Sequence, residues 1–98
     1  MTVKLTVRVS DDIATKVKEL HGKVNISMLV RKRLKQMIDN NEIPDGEISP
    51  GDATVNISMP AEFHAKLEIY AKKNGLSVAD LVRYALADVV KVMVSAEE

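Results

Sequence analysis

Two short stretches decide the fold, VKLTVRV at residues 3–9 and ATVNISM at residues 53–59. In each stretch apolar and polar residues alternate with a period of two, which is typical of a β-strand with one buried face. Each stretch leads into segments whose apolar residues recur with helical spacing. Because the two stretches lie fifty residues apart and are followed by matching patterns, the chain contains an internal repeat.

The first predicted helix of each copy has apolar residues at positions i, i+4 and i+7. These residues are Ile13, Val17 and Leu20 in the first copy and Phe63, Leu67 and Tyr70 in the second. Ser10 is a suitable N-cap for the first of these helices, and Pro60 suits the opening turn of the other. Both helices are expected to end at a glycine in the left-handed conformation, Gly22 and Gly75 respectively.

A second helix follows in each copy, and the apolar stripes of these two helices match at an offset of fifty-two residues. The stripes comprise Ile26, Leu29, Val30, Leu34, Met37 and Ile38, and Val78, Leu81, Val82, Leu86, Val89 and Val90. Asn25 and Ser77 take the N-cap positions, and Asp80 is placed to pair with Ser77 as in a capping box. The predicted order in each copy is therefore strand, helix, loop and helix.

Residues 39–52 join the two copies and contain two prolines, two glycines and five acidic residues. This composition predicts a linker or surface loop between a first copy at residues 1–38 and a second at residues 53–98. A copy of roughly 40 residues buries too little surface to fold alone, and a lone strand leaves one edge of amides unpaired. The two copies are therefore expected to complete one another in one cooperative fold.

This arrangement, with second helices that open at Asn25 and Ser77, resembles the ribbon-helix-helix family of DNA-binding proteins, the Arc, MetJ and CopG class. The resemblance covers both copies, about 80 of the 98 residues, and is clearest in VNISMPAEFHAKLEIYAKKNGLSVADLVRYAL at residues 55–86. Members of the family pair two identical chains through an antiparallel ribbon that enters the major groove. The resemblance implies a mainly α fold with a two-stranded antiparallel ribbon, in which tandem copies form an intrachain pseudo-dimer.

The outward residues of the two strands are the candidate base contacts. They are Lys4, Thr6, Arg8, Thr54, Asn56 and Ser58. Arg and Lys can hydrogen-bond to guanine, Asn to adenine, and Thr and Ser to several bases. Composition alone is explained equally well by polar residues on the solvated face of a ribbon, and the repeated architecture favours base contact. An antiparallel pairing places Thr6 near Asn56 at the centre of the ribbon.

The resemblance also implies a DNA phosphate contact at the start of each second helix. The residues at these two places are Asn25, Ile26 and Ser27, and Ser77, Val78 and Ala79. Free amides and the helix dipole make such a terminus favourable for an anion. Ordinary N-capping accounts for Asn25 and Ser77 as well, and the two roles are compatible.

Fourteen basic and fourteen acidic residues give a net charge of zero, which by itself argues against a nucleic-acid partner. The charges are segregated, with a balance of +6 over residues 1–38, −5 over residues 39–52 and −1 over residues 53–98. Attraction to phosphate is therefore expected mainly from the first copy.

The second helix of the first copy carries a basic cluster, Arg31, Lys32, Arg33 and Lys35. A solvated helix face is one interpretation, and an additional contact with DNA or a partner is the other. The acidic linker is a candidate to pair with this cluster when DNA is absent.

An enzyme is not expected, because no Walker, dinucleotide-binding or nucleophile-elbow pattern occurs. The two histidines lack companion ligands and the chain has no cysteine, so neither a metal nor another cofactor is predicted. Charged residues interrupt the N-terminal apolar pattern, and no apolar run reaches the length of a membrane span. A cytoplasmic protein without a membrane or small-molecule partner is the expectation.

The predicted function is sequence-specific binding of double-stranded DNA, most simply as a transcriptional repressor. The alternatives are a protein-interaction module that has the same fold without DNA binding, and an antitoxin or plasmid-type accessory DNA-binding protein. The last helix runs past the repeat through Val92, Met93 and Val94. This extension is expected either to cover Ile43 and Ile48 of the linker or to contact another chain in a homo-oligomer.

Overall fold

The computed structural model describes residues 1–44 and 51–97, with side chains described as far as Met93. The elements in chain order are β1 (Thr2–Val9), α1 (Asp11–Leu20), α2 (Ile26–Asp39), β2 (Ala53–Pro60), α3 (Ala61–Lys73) and α4 (Val78–Glu97). The described residues thus form a small α/β domain with a two-stranded sheet and four helices. The predicted repeat of strand, helix and helix is confirmed.

The two strands pair with each other in an antiparallel sheet, from Thr2 opposite Pro60 to Val9 opposite Ala53. Thr6 lies opposite Asn56 at the centre, in the register expected for pairing within one chain. One face of the sheet carries its buried side chains, Val7, Val9, Val55, Ile57 and Met59. Because side chains alternate between the two faces of a strand, the polar residues of both strands share the opposite face.

The helices cover the apolar face of the sheet, and α2 and α4 pack against each other along the middle of the domain. Leu34 on α2 and Leu86 on α4 occupy equivalent positions of the two stripes, and both are completely buried. Val30 and Val82, one turn earlier, are also completely buried. The period of the apolar pattern therefore identified the packed face of both second helices.

The helix N-termini are capped largely as predicted. The Ser10 hydroxyl accepts a hydrogen bond from the Ile13 amide at 3.3 Å. Ser77 and Asp80 form the reciprocal capping pair, with donor–acceptor distances of 3.1 and 3.2 Å. The placement of Pro60 within the opening turn of α3 is wrong by one residue. Its ψ of 144° is extended, so it ends β2 and stands at the N-cap position.

The prediction of a left-handed glycine is confirmed at Gly75, whose φ is 70°. The Leu76 amide returns to the Ala71 carbonyl at 2.8 Å, which gives α3 the ending of a Schellman motif. The same prediction is wrong at Gly22, which does not have a positive φ. There His21 keeps a right-handed helical conformation, and the chain leaves α1 by further right-handed turns.

The predicted linker begins later than expected, because Asp39 belongs to α2. Asn41 takes the left-handed conformation with φ 54°, and the Glu42 amide bonds to the Met37 carbonyl at 2.8 Å. This is a second Schellman ending, with Asn in the place of Gly. The middle of the linker, including Ile48, lies outside the described residues.

Gly51 brings the chain back against the end of β1. A Cβ atom at this position would lie 2.1 Å from the carbonyl oxygen of Val9, a backbone atom. Only glycine therefore permits this approach without moving the strand. Among the described residues, no helix is long and apolar enough to cross a membrane.

Candidate nucleic-acid interface

The outward face of the sheet brings all six predicted base-contact residues together. Five of the side chains are exposed and that of Ser58 is half-buried. At the centre the Thr6 hydroxyl donates to the Asn56 side-chain oxygen at 2.8 Å. The cross-strand pairs on either side are Lys4 with Ser58 and Arg8 with Thr54. This face is therefore a continuous row of hydrogen-bonding groups whose two ends differ in chemistry.

Arg8 is held by the chain that returns from the linker. Its Nε donates to the Gly51 carbonyl at 3.2 Å, and its guanidinium lies 3.7 Å from the Asp52 carboxylate. The two side chains are 63% and 98% exposed, so water screens this ion pair. A pair of this kind is weak enough to be exchanged for a base or a phosphate.

The backbone of Arg8 is supported by Arg83, the one buried charged residue among those described. The Arg83 Nε donates to the Arg8 carbonyl at 2.7 Å, and its Nη1 lies 2.9 Å from the Asp80 carboxylate. The sequence analysis did not predict this role, although Leu81-Val82-Arg83 repeats Leu29-Val30-Arg31. The contact joins α4 to the edge of β1 directly below the proposed base-contact face.

The predicted phosphate contacts lie where helix amides remain unpaired. At the start of α2 the Asn25 side chain accepts from the Met28 amide at 3.1 Å, as a plain N-cap does. The amides of Ile26 and Ser27 make no hydrogen bond to any residue that the structure describes. These two N–H groups are the ones that an anion at this terminus would use.

The start of α4 repeats this pattern. Ser77 and Asp80 cap each other, while the amides of Val78 and Ala79 have no partner within residues 1–44 and 51–97. The pKa of Asp80 lies below its usual range, mainly because the carboxylate accepts a hydrogen bond from the Ser77 backbone amide. The Ser77 side chain and Arg83 lower this pKa further, and partial burial opposes them. The carboxylate is therefore charged at neutral pH, and Arg83 offsets its repulsion of a nearby phosphate.

The α2 terminus is the better placed of the two beside the base-contact face. The Ser27 hydroxyl accepts from the Ser58 amide at 3.1 Å, which fixes the start of α2 against the free edge of β2. A cleft of about 250 Å³ continues from Asn25 and Ser27 to His21 and Asn56. Ala79 stands at the position equivalent to Ser27 and has no hydroxyl to make the same contact.

The basic cluster of α2 divides into two groups. Arg33 bonds to Asp88 of α4 at 2.7 Å and to Glu42 at 2.6 Å. The hydrogen bonds that Arg33 donates to the Glu42 carboxylate and to the Asp88 carboxylate raise the pKa of Arg33 despite partial burial. Arg33 is therefore a structural bridge between α2, α4 and the start of the linker, and pairing of the acidic linker with the cluster is observed at this residue.

The other three cations of the cluster, Arg31, Lys32 and Lys35, line a groove with Met28, Pro60 and Phe63. None of them has an ion pair within the described part of the chain. The Nε of Arg31 is buried and has no hydrogen-bond partner among the described residues. The cluster is therefore not one uniform solvated face.

The extension of the last helix is only partly described. Val92 is 61% exposed and Ile43 is 52% exposed, so the expected covering of Ile43 is not observed. Val92 and Met93 line a shallow groove between α2 and α4 with Leu29 and Arg33. The side chain of Val94 and residue Ile48 lie outside the described residues, and the predicted contact with another chain stays a prediction.

Among residues 1–44 and 51–97, no group of three or more His, Cys, Asp or Glu residues could hold a metal ion. His64 instead pairs with Glu68 along α3 at 2.8 Å. A scan against protein-family models, a search of curated proteins and a search of solved structures found no match to the chain.

Proposed function

We propose that this chain is a tandem ribbon-helix-helix protein that binds double-stranded DNA sequence-specifically and acts as a transcriptional repressor. In this proposal the two copies form an intrachain pseudo-dimer, whose ribbon of β1 and β2 enters the major groove. The outward side chains of the ribbon read base edges. The amides at the starts of α2 and α4 bind the flanking phosphates.

One observation carries the proposal. The antiparallel register places six hydrogen-bonding side chains on one uncovered face, while the helices cover the other. A two-stranded ribbon is one of the elements that the major groove admits. The face has the polarity that base reading requires, and no large apolar side chain interrupts it.

The two pairs of amides at the helix starts, which have no partner in the described part of the chain, support the same proposal. The amides of Ile26 and Ser27 and those of Val78 and Ala79 stand at equivalent positions of the repeat. The first pair lies at the start of α2, which bonds to β2, and the second at the start of α4, which bonds to β1. Backbone contacts of this kind set the orientation of a protein on the duplex, while base contacts supply specificity. Occupation of a major-groove site by such a protein would exclude other proteins from it, which is how the proposed repressor would act.

The proposal accounts for the zero net charge through the distribution of that charge. Lys4 lies opposite Ser58, whose amide bonds to the start of α2, and Lys23 lies two residues before the Asn25 N-cap. At the start of α4, by contrast, Asp80 is bound to Arg83. Phosphate attraction would therefore come mainly from the first copy, and the salt dependence should correspond to only a few phosphates. Binding to non-specific DNA should be weak at physiological salt.

The test begins with a selection of bound sequences from a random DNA pool, followed by mobility shifts over a range of salt concentrations. The double variant Thr6→Ala/Asn56→Ala should lose about 1–3 kcal/mol on the selected site for each base contact removed and keep its weak binding to random DNA. Thr15→Ala, an exposed threonine on α1, is the matched control and should bind as the wild type does.

A protein-interaction module of the same fold is the second candidate, and the ion pair of Arg8 with Asp52 favours it. In that case Arg8, one of the two charged residues of the ribbon, would serve the fold rather than DNA. The same selection separates the two candidates. Enrichment of no sequence, together with no retention of any DNA at low salt, would overturn DNA binding and leave the interaction module.

A further inference from the structure

The two ends of the sheet carry opposite charge. The end at which Thr2 faces Pro60 is flanked by the groove of Arg31, Lys32 and Lys35, which we name the basic end. The end at which Val9 faces Ala53 is flanked by Asp11, Asp12 and Asp52, which we name the acidic end. All three of these aspartates are exposed.

The basic end is a shallow, open groove in which the cations stand beside apolar side chains. It has a volume of about 430 Å³ and an apolar floor of Met28, Pro60 and Phe63. Met28 is 51% exposed, so part of its apolar surface is available for contact. Cations above an apolar floor are suited to an acidic surface that also buries some apolar area.

The second copy has no such groove. Asp80 stands at the position of Met28 and neutralises Arg83, which occupies the position of Arg31. Tyr84 and Ala87 replace the two lysines. The basic groove therefore occurs once, at one end of the sheet, and the opposite end lacks a counterpart that would repel it.

Each end also holds opposing charge. Glu62 lies in the first turn of α3 at the basic end, and Arg8 is bound to Asp52 at the acidic end. Among the side chains just named, three cations against one carboxylate leave +2 at the basic end, and three carboxylates against one guanidinium leave −2 at the acidic end. The Arg83–Asp80 pair adds no net charge to the acidic end, and the amino group of Met1 adds positive charge at the basic end. The two ends are therefore electrostatically complementary.

These surfaces cannot meet within one chain. The ladder that separates them has eight residue pairs, which span about 24 Å at the usual rise per residue. That distance is longer than the Debye length of about 8 Å at physiological ionic strength. Only the ends of two different molecules can bring the groove and the aspartates together.

We propose that the partner of the basic groove is the acidic end of a second copy of this chain. Because the two surfaces differ, the contact is heterologous and can continue from copy to copy in one direction. Neighbouring copies therefore associate head to tail, with the sheets end to end. This inference goes beyond DNA binding and holds in its absence, although a shared DNA site would raise the effective concentration of the copies.

The association of free chains should be weak and sensitive to salt. Each exposed ion pair contributes little, and the apolar floor of the groove is small. A zero net charge removes the general repulsion that would otherwise oppose contact. We expect association at high protein concentration and about 20 mM salt, and its loss at about 300 mM salt.

Charge reversal at each end tests the proposal by sedimentation equilibrium. Lys32→Glu/Lys35→Glu makes both ends acidic, and Asp12→Lys/Asp52→Lys makes both ends basic; all four side chains are exposed. Each variant alone should associate at least about tenfold more weakly than the wild type. An equimolar mixture of the two should recover association as a pair. The control Lys72→Glu/Lys73→Glu makes the same charge change as Lys32→Glu/Lys35→Glu but on α3, and it should associate as the wild type does. Thermal melts of all three variants check that they are folded.

Three results would overturn the proposal. The first is a wild-type chain that stays monomeric at about 1 mM in low salt. The second is a failure of the mixed variants to recover association. The third is a Lys32→Glu/Lys35→Glu variant that self-associates normally and loses only DNA binding, which would make the groove a phosphate contact. This last result would leave the proposed DNA-binding function intact.

Discussion

The two copies of the repeat agree in their core and differ at their surfaces. Leu34 and Leu86 take equivalent positions and are equally buried, so the same packing is built twice. Arg31 and Arg83 are also equivalent, yet Arg83 is bound to Asp80 and to a strand carbonyl, whereas Arg31 has no ion pair among the described residues. The spacing of the apolar residues therefore determines the fold of both copies. The polar residues near a given position determine whether its side chain makes structural bonds, as Arg83 does, or has no ion pair among the described residues, as with Arg31.

The strands show the same contrast. β1 presents Lys4 and Arg8 on its outward face, and β2 presents only uncharged polar side chains. The antiparallel register places Lys4 beside Ser58 and Arg8 beside Thr54. A sheet built from two identical strands would have identical ends, and this sheet does not.

The largest effects are expected in the core. Leu34→Ala and Leu86→Ala should each lower the free energy of unfolding by about 2–5 kcal/mol, because each leaves a cavity among completely buried neighbours. Chemical denaturation measures both, with Ile69→Ala on the exposed face of α3 as the control. A loss confined to one of the two leucines would show that the copies do not share one cooperative core.

The equivalent arginines should differ in their contribution to stability. Arg83→Gln should cost about 1–3 kcal/mol of unfolding free energy, since it removes a buried hydrogen bond to the Arg8 carbonyl and leaves Asp80 without its cation. Arg31→Gln should cost less than about 1 kcal/mol, because no hydrogen bond of Nε within the described residues is lost. Equal losses would contradict the distinction drawn between the two positions.

The outward residues should differ in their contribution to DNA binding. Arg8→Ala should cost about 1–3 kcal/mol on the selected site and relax the choice of base at one position. The thermal melt should be nearly unchanged, because the Arg8 side chain is 63% exposed. Equal losses on specific and random DNA would make Arg8 a phosphate contact only.

The second copy should contribute a pH dependence that the first lacks, because Met28 takes the place of Asp80. The pKa of Asp80 is lowered in the folded protein, so its contribution to stability is fully present above the unfolded pKa of about 3.9. It is lost as the pH falls through the folded pKa. At neutral pH the wild type should therefore melt at a higher temperature than Asp80→Asn, and this difference should shrink in acid. A difference that stays constant down to about pH 2 would contradict this assignment.

The smallest effect on DNA binding is expected at Asp52, whose carboxylate pairs with Arg8 and so competes with DNA for it. Asp52→Asn should strengthen DNA binding by less than about 1 kcal/mol, because it removes an exposed carboxylate beside the guanidinium. Asp39→Asn, an exposed acid at the end of α2, removes the same charge elsewhere and serves as the control. Weaker binding in Asp52→Asn would indicate that the carboxylate orients Arg8 instead of competing for it.

The strands, the helices and the pairing of β1 with β2 could be predicted from the sequence, because the period of an apolar pattern is a local property and the same order of patterns occurs twice. Alternation in the strands identified the outward residues, and the matching stripes identified the buried faces. The roles of Arg33 and Arg83 could not be predicted, since their partners lie 55 and 75 residues away along the chain. Gly22 shows a different limit, because a glycine permits the left-handed conformation without requiring it. The division of the basic cluster likewise depended on which carboxylates the fold brings near it.

The most direct test of the account is the orientation of one chain on one DNA subsite. The chain has no cysteine, so Lys4→Cys provides a single attachment point for a DNA-cleaving reagent at one end of the ribbon. Because β1 and β2 pair within the chain and present different ends, we expect a non-palindromic subsite and cutting on one side only. Equal cutting on both sides, or a selected site with complete dyad symmetry, would mean that the copies pair between chains and would contradict the account.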